Sequence, residues 1–293
     1  MSHRFALPVL ALAIACGGSE PPPETNGAGA ESTEVEALHL PSGDLDAVLA
    51  GPHRSDDERA RDPFRHPKET LAFFGLTPTS TVVEIWPGGG WYTKVLAPYL
   101  RDGGQMIVAN VSSEGEGFLP EMVRNLNAMM DAQPSLYDQV QRAELHAEDL
   151  MTGVPDDSVD LVLLPRTFHN WVRRDHDIAA YLGAIVRVLK PGGVLGVVQH
   201  RAPADHPEAE TGEAGYLSEA FIIRLAEEAG LRLDDRSEIN ANPNDDHDHP
   251  EGVWSLPPVL RGSEETADAM RAIGESDRMT LRFVPAEGST DAE

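Results

Sequence analysis

The chain has 293 residues, 41% of them apolar, which is enough for one large domain with a sizeable core. Its 49 acidic residues outnumber 23 basic ones, and the net charge of -26 opposes nucleic-acid binding over a broad surface, because a phosphate backbone would be repelled. The single cysteine, Cys16, excludes intrachain disulfides and any cysteine-built zinc or iron–sulfur site.

The first segment is a short basic start containing Arg4, then the apolar residues 5–15 (FALPVLALAIA). This pattern predicts a signal peptide over residues 1–15, with an apolar run too short to span a bilayer. Leu12, Ala13, Ile14, Ala15, Cys16 and Gly17 resemble the lipobox of bacterial lipoproteins. The resemblance implies an acylated Cys16 as the first mature residue. Residues 16–37 are rich in Pro, Gly, Ser and Glu without an apolar period, the composition of a lipidated, solvated tether. The expected location is the cell envelope, on the periplasmic side, with the lipid as the only membrane contact. A cytoplasmic location is the alternative if the signal is not used.

Residues 38–293 show no internal repeat and no second shift in composition, and read as one domain. Strands are expected at 81–85, 105–111, 143–146, 159–164 and 194–198. Helical stripes fall between them: Tyr92, Val95, Leu96 and Tyr99; then Leu119, Met122, Val123, Leu126, Met129 and Met130; then Ile178, Tyr181, Leu182, Ile185, Val188 and Leu189. The methionines of the second stripe are expected in the core. Such alternation implies βαβ units and a doubly wound, Rossmann-like α/β sheet that is mostly parallel. A helix at 216–229, a strand at 231–239, a polar stretch at 240–277 and a last strand at 279–284 complete the chain.

The strongest local signal is Glu84, Ile85, Trp86, Pro87, Gly88, Gly89, Gly90, Trp91, Tyr92, Thr93. A strand enters glycines and then a helix, so backbone N–H groups can approach a ligand closely. A dinucleotide fingerprint would use Thr93 as its third small residue, but needs an acid where Asn110 stands. An acid followed by alternate glycines, here Glu84, Gly88 and Gly90, resembles the first motif of class I S-adenosylmethionine-dependent methyltransferases. Trp86 stands where that motif has a glycine. Glu148, Asp149 and Leu150 resemble the family's third motif, residues 160–164 its fourth, and Leu189, Lys190, Pro191, Gly192 and Gly193 the turn before its fifth strand.

The resemblance covers about residues 65–285 and extends to uncharacterised bacterial predicted methyltransferases that carry signal peptides. It implies an antiparallel C-terminal hairpin and S-adenosylmethionine as cofactor. It also implies cofactor contacts from Glu84, Trp86, Gly88, Gly90, Asn110, Asp149 and Leu150, with Asp149 reading the adenine amino group. Asn110 replaces the usual ribose-binding acid, and Glu114 is a possible substitute.

Methyl transfer asks mainly for positioning and water exclusion, plus a base where the acceptor must lose a proton. His169 and Asn170 follow the fourth strand and His200 ends the fifth, so all three are candidate catalytic residues at the ligand-facing edge. The cluster Asn244, Asp245, Asp246, His247, Asp248, His249 has metal-ligand types but reads better as a capped loop, so no metal is expected. The apolar residues 252–258 are read as a lid or as a plug of the core. The expected function is methyl transfer to a small acceptor. The alternative is a catalytically idle, adenosyl-ligand-binding lipoprotein.

Overall fold

Seven strands build one sheet: β1 Thr81–Ile85, β2 Gln105–Asn110, β3 Gln141–Glu144, β4 Val159–Pro165, β5 Leu189–His200, β6 Leu231–Ser237 and β7 Arg278–Pro285, in the order β3-β2-β1-β4-β5-β7-β6. The computed structural model describes residues 38, 40–146, 150–203 and 212–286. Cys16, the signal and tether of residues 1–37, Glu148 and Asp149 lie outside these residues. β1 to β5 pair in parallel, and β7 runs antiparallel to both β5 and β6. This is the expected Rossmann-like sheet with its antiparallel C-terminal pair. The strand order reverses between β1 and β4, which opens a crevice at their carboxyl ends.

Alternate residues of each central strand feed two cores. Val83, Ile85, Val162, Leu164, Leu195 and Val197 join the helix Ile178–Val188 in one. Val82, Leu161, Leu163, Val194 and Val198 join the helix Thr93–Leu100 and residues of Phe118–Asp131 in the other. β4 is therefore covered on both faces, which is why its sequence is a continuous apolar run rather than an alternation.

Among the boundaries that differ from expectation are those of β3 and β5. β3 lies two residues earlier than 143–146. β5 starts at Leu189, which already pairs with Val159 before the chain shifts register to pair Val194 with Leu161. Residues 190–193 are thus an irregularity within the strand. Lys190 Nζ bonds Asp160 at 2.8 Å, and Asp160 accepts from the Thr81 N–H at 2.8 Å, so the starts of three strands are tied together.

Four short helices precede the sheet: Leu45–Ala50, Asp56–Arg59, Asp62–Arg65 and Pro67–Phe73. Another, Glu264–Ile273, lies within the stretch read as loop and buries no residue. None of them carries a full apolar stripe. Their only marks are caps, such as the reciprocal pair Ser55 and Glu58.

Gly90 holds the loop after β1 against the helix Phe118–Asp131. Its φ is +79°, and a Cβ there would stand 2.7 Å from Leu126 Cδ1. Gly90→Ala is expected to cost about 1–3 kcal/mol by overpacking and by the left-handed backbone. Urea unfolding of Gly90→Ala alone and with Leu126→Ala measures this: the clash predicts that the two losses are not additive.

Candidate functional site

The carboxyl ends of β1, β4 and β5 open into a cavity of about 500 Å³, within the range of small-molecule sites. The loop after β1 supplies Trp86, Gly88 and Gly89; the chain after β4 supplies Arg166, His169 and Asn170; β5 supplies His200. Val253, Trp254, Pro257, Pro258 and Val259 form another wall. In the segment read as lid or plug, Val253 packs in a small cluster with Ala202 and Tyr216, while Trp254 faces His169 with ring centroids 5.9 Å apart.

The glycine loop divides its tasks. A Cβ at Gly88 would meet only Met122 Sδ, at 4.0 Å, and one at Gly89 would meet nothing within 4 Å. Both glycines line the cavity, whereas Gly90 is not among the lining residues and faces the helix described above. Gly89 was not singled out from the sequence, where alternate spacing favoured its neighbours. Met122 lines the cavity too, unlike Met130, which is in the core as expected.

Trp86 has φ +49°, a backbone state that suits the glycine it replaces. Its backbone N–H donates to the Ala109 carbonyl at 3.0 Å, and its ring meets His176 edge-on at 5.4 Å. These contacts hold the strained turn that a tryptophan would otherwise avoid.

Glu84 is 1% exposed, lines the cavity and accepts from Thr93 Oγ1 at 2.6 Å. Burial pushes its carboxyl up to about 7, against the opposing effect of the Thr93 bond. Asn110 is buried at the end of β2 beside Trp86, and its side-chain amide has no hydrogen-bond partner among the described residues. Leu150 packs against the same core as Trp86. Neither Asn110 nor Leu150 lines the cavity, and Glu114 is exposed away from it.

The structure brings His169 and His200 together, with ring centroids 5.3 Å apart. Gln199 Nε2 donates to the Gly215 carbonyl at 3.0 Å, which leaves Oε1 3.3 Å from His169 Nδ1. With Nδ1–H as donor there, His169 Nε2 is left as an acceptor. His200 Nδ1 hydrogen-bonds Ser276 Oγ. Burial lowers His169 to about 3, and nearby Arg166 and Arg173 act in the same direction. Burial, His169 and Arg166 likewise hold His200 well below its usual range. Both rings are neutral at physiological pH.

Asp245, Asp246 and His249 come close enough to share a ligand. Asp245 nonetheless spends its oxygens on the Tyr216 hydroxyl, the N–H groups of His247 and Asp277, and His249 Nε2. This is the capped-loop arrangement, and it anchors the wall carrying Trp254.

Sequence reasoning missed the charged side of the cavity. Arg61, Arg65, Arg166 and Glu275 all line it. Arg61 Nε and Arg65 Nε bond Glu275 at 2.6 and 3.0 Å. The first two arginines stand at the cap and the end of a short helix without an apolar period, and the carboxylate comes from more than 200 positions away, so no local pattern joins them.

The stretch from residue 83 to residue 197, from within β1 into β5, matches the family described as a methyltransferase domain. S-adenosylmethionine is the cofactor that goes with such a domain. In fold the chain is similar to a SAM-dependent methyltransferase from Aquifex aeolicus, at 21% identity and TM-score 0.50, over 67% of this chain and 93% of that one. It is similar to geranyl diphosphate C-methyltransferase from Streptomyces coelicolor, at 15% identity and TM-score 0.51, over 85% and 91%. It is also similar to the [4+2]-cyclase SpnF, at 16% identity and TM-score 0.53, over 86% and 88%. The stretch fits that cofactor in one respect: Gly88 and Gly89 leave room for close approach.

The raised carboxyl of Glu84 has a consequence for stability. A group raised from 4.5 to about 7 on folding contributes fully below pH 4.5 and loses that contribution as pH rises through 7. Glu84→Gln keeps the Thr93 bond and cannot ionise. Its stability relative to wild type should therefore grow by on the order of 2–3 kcal/mol between pH 4 and pH 8. Urea midpoints at both pH values check it, and an unchanged difference would mean that Glu84 ionises normally.

Proposed function

We propose that this domain transfers a methyl group from S-adenosylmethionine to a small acceptor. The open space at Gly88 and Gly89, facing the same cavity as His169, Asn170 and His200, carries the reading. When bound, S-adenosylmethionine supplies a methyl already activated on a sulfonium. The chain has then to place the acceptor and exclude water. Glu84, held by Thr93, stands at the base of the loop, where a carboxylate balances the cofactor's positive charge. Trp86, Asn110, Asp149 and Leu150 are assigned to the adenosine half, and Gly90 to shaping the turn.

Trp254 and the prolines after it close the acceptor side. His169 presents Nε2 as a hydrogen-bond acceptor, which suits orienting a donor on the acceptor molecule. Its burial among cations makes it a poor base, so the reading favours an acceptor whose nucleophile is already unprotonated.

Gly89 gives a clean test, because its backbone is not left-handed and a side chain there enters open space. Gly89→Val should fold like wild type and lose at least about tenfold in affinity for S-adenosylhomocysteine, or about 1.4 kcal/mol. Isothermal calorimetry on both proteins decides it. Equal affinity in the folded variant, or none in the wild type, would overturn the assignment. Binding without methyl transfer to any acceptor would favour the idle ligand-binding lipoprotein.

The sequence of residues 1–17 supports export and anchoring through Cys16. Two or three acyl chains, at about 0.8 kcal/mol per buried methylene, make such attachment stable, whereas one is marginal. Cys16→Ser expressed in a bacterial host should lose palmitate label and leave the membrane fraction. Wild-type protein found soluble, unlabelled and with Met1 retained would instead support a cytoplasmic enzyme, with its cofactor at hand.

A further inference from the structure

The chain as a whole is strongly acidic, yet one side of the cavity is cationic. Glu275 is the carboxylate at its centre, 4% exposed. Arg61, Arg65 and Arg278 all bond it, at 2.6, 3.0 and 2.9 Å. Arg166 adds a fourth guanidinium, close enough to act on the same carboxylate. Its side chain makes no hydrogen bond or ion pair among the described residues, although it lines the cavity. Nη2 of Arg61 and Nη2 of Arg65 are also buried without a partner. One carboxylate cannot satisfy four guanidiniums, and buried donors without acceptors are costly.

The other acids on the cavity wall do not help. Glu58 is committed to Lys94 and to the Ser55 N–H, and Glu84 to Thr93. Arg166 follows β4 and Arg278 opens β7 opposite His200, while Arg65 stacks over Trp91 of the glycine loop at 4.7 Å, so the excess positive charge runs from the His200 side of the crevice to the loop after β1.

We infer that Arg166, with Arg61 and Arg65 behind it, forms a subsite for a carboxylate or phosphate group on the methyl acceptor. The inference rests on the methyltransferase reading and narrows its substrate class to anionic small molecules. A planar, permanently charged fork suits either oxyanion. The same charge adds to burial at the two histidines: burial is the main cause that keeps both neutral, and Arg166 acts in the same direction. A carboxylate on the cofactor would need one guanidinium and is the rival occupant.

The test uses inorganic phosphate and 31P line broadening, in 150 mM chloride, with the full chain free and saturated with S-adenosylhomocysteine. The expected result is saturable broadening that persists with S-adenosylhomocysteine bound. Arg166→Asn, which tolerates the local φ of +56°, should weaken phosphate at least fivefold and leave S-adenosylhomocysteine affinity unchanged. Glu275→Gln removes the competing carboxylate and should tighten phosphate several-fold where circular dichroism shows it folded.

Broadening that vanishes on adding S-adenosylhomocysteine would give the arginines to the cofactor and overturn the inference. So would no broadening in the wild type, or equal broadening in Arg166→Asn. If S-adenosylhomocysteine fails to bind while phosphate binding still depends on Arg166, the cofactor reading falls and the anion subsite survives it.

Discussion

A buried carboxylate makes the N-terminal helices and the antiparallel side of the sheet one piece. Glu275 precedes β7 and bonds Arg61, Arg65 and Arg278. Arg278 Nη2 donates in turn to the Phe64 carbonyl at 2.6 Å, and Arg65 stacks over Trp91 of the glycine loop at 4.7 Å. The helices therefore reach the loop after β1 and the start of β7 through the same side chains. The arginines overcome the effect of burial on Glu275, whose carboxyl falls to about 2. Losing one partner of a buried pair of this kind costs about 3–5 kcal/mol, because it strands the other charge.

The sheet was legible because its signals are periodic and local. The continuous run of β4 announced a strand covered on both faces, and the stripe from Ile178 to Val188 announced its covering helix. The start of β5 was missed because Leu189 pairs with Val159 across a proline–glycine turn, and a turn signal looks the same whether or not pairing resumes before it. The helix Glu264–Ile273 was missed because it buries no residue, so no face of it had to be apolar.

The site was half legible. Glu84, Trp86, Gly88, His169, Asn170 and His200 all reach one cavity, since the ends of parallel strands converge and each residue sits at such an end. The arginines were not legible. Arg61 caps and Arg65 ends one short helix before the sheet, and their partner is brought in by β7, so only tertiary contact joins them. Spacing also could not tell a glycine that admits a ligand from one that admits a helix. Gly89 and Gly90 are adjacent, and only the position of Leu126 separates their roles.

The contrast between an acidic chain and a cationic cavity also bears on kinetics. An anion far from the protein meets a repelling field, and close to Arg166 it meets an attracting one. At physiological ionic strength the Debye length is about 8 Å, so salt screens the outer field more than the enclosed inner one. Arrival of an anionic molecule is then faster as salt rises, the reverse of ordinary electrostatic steering. Residence inside is much less sensitive, because the arginines are largely desolvated. Such a cavity is slow to fill in dilute buffer, and saline surroundings quicken its filling.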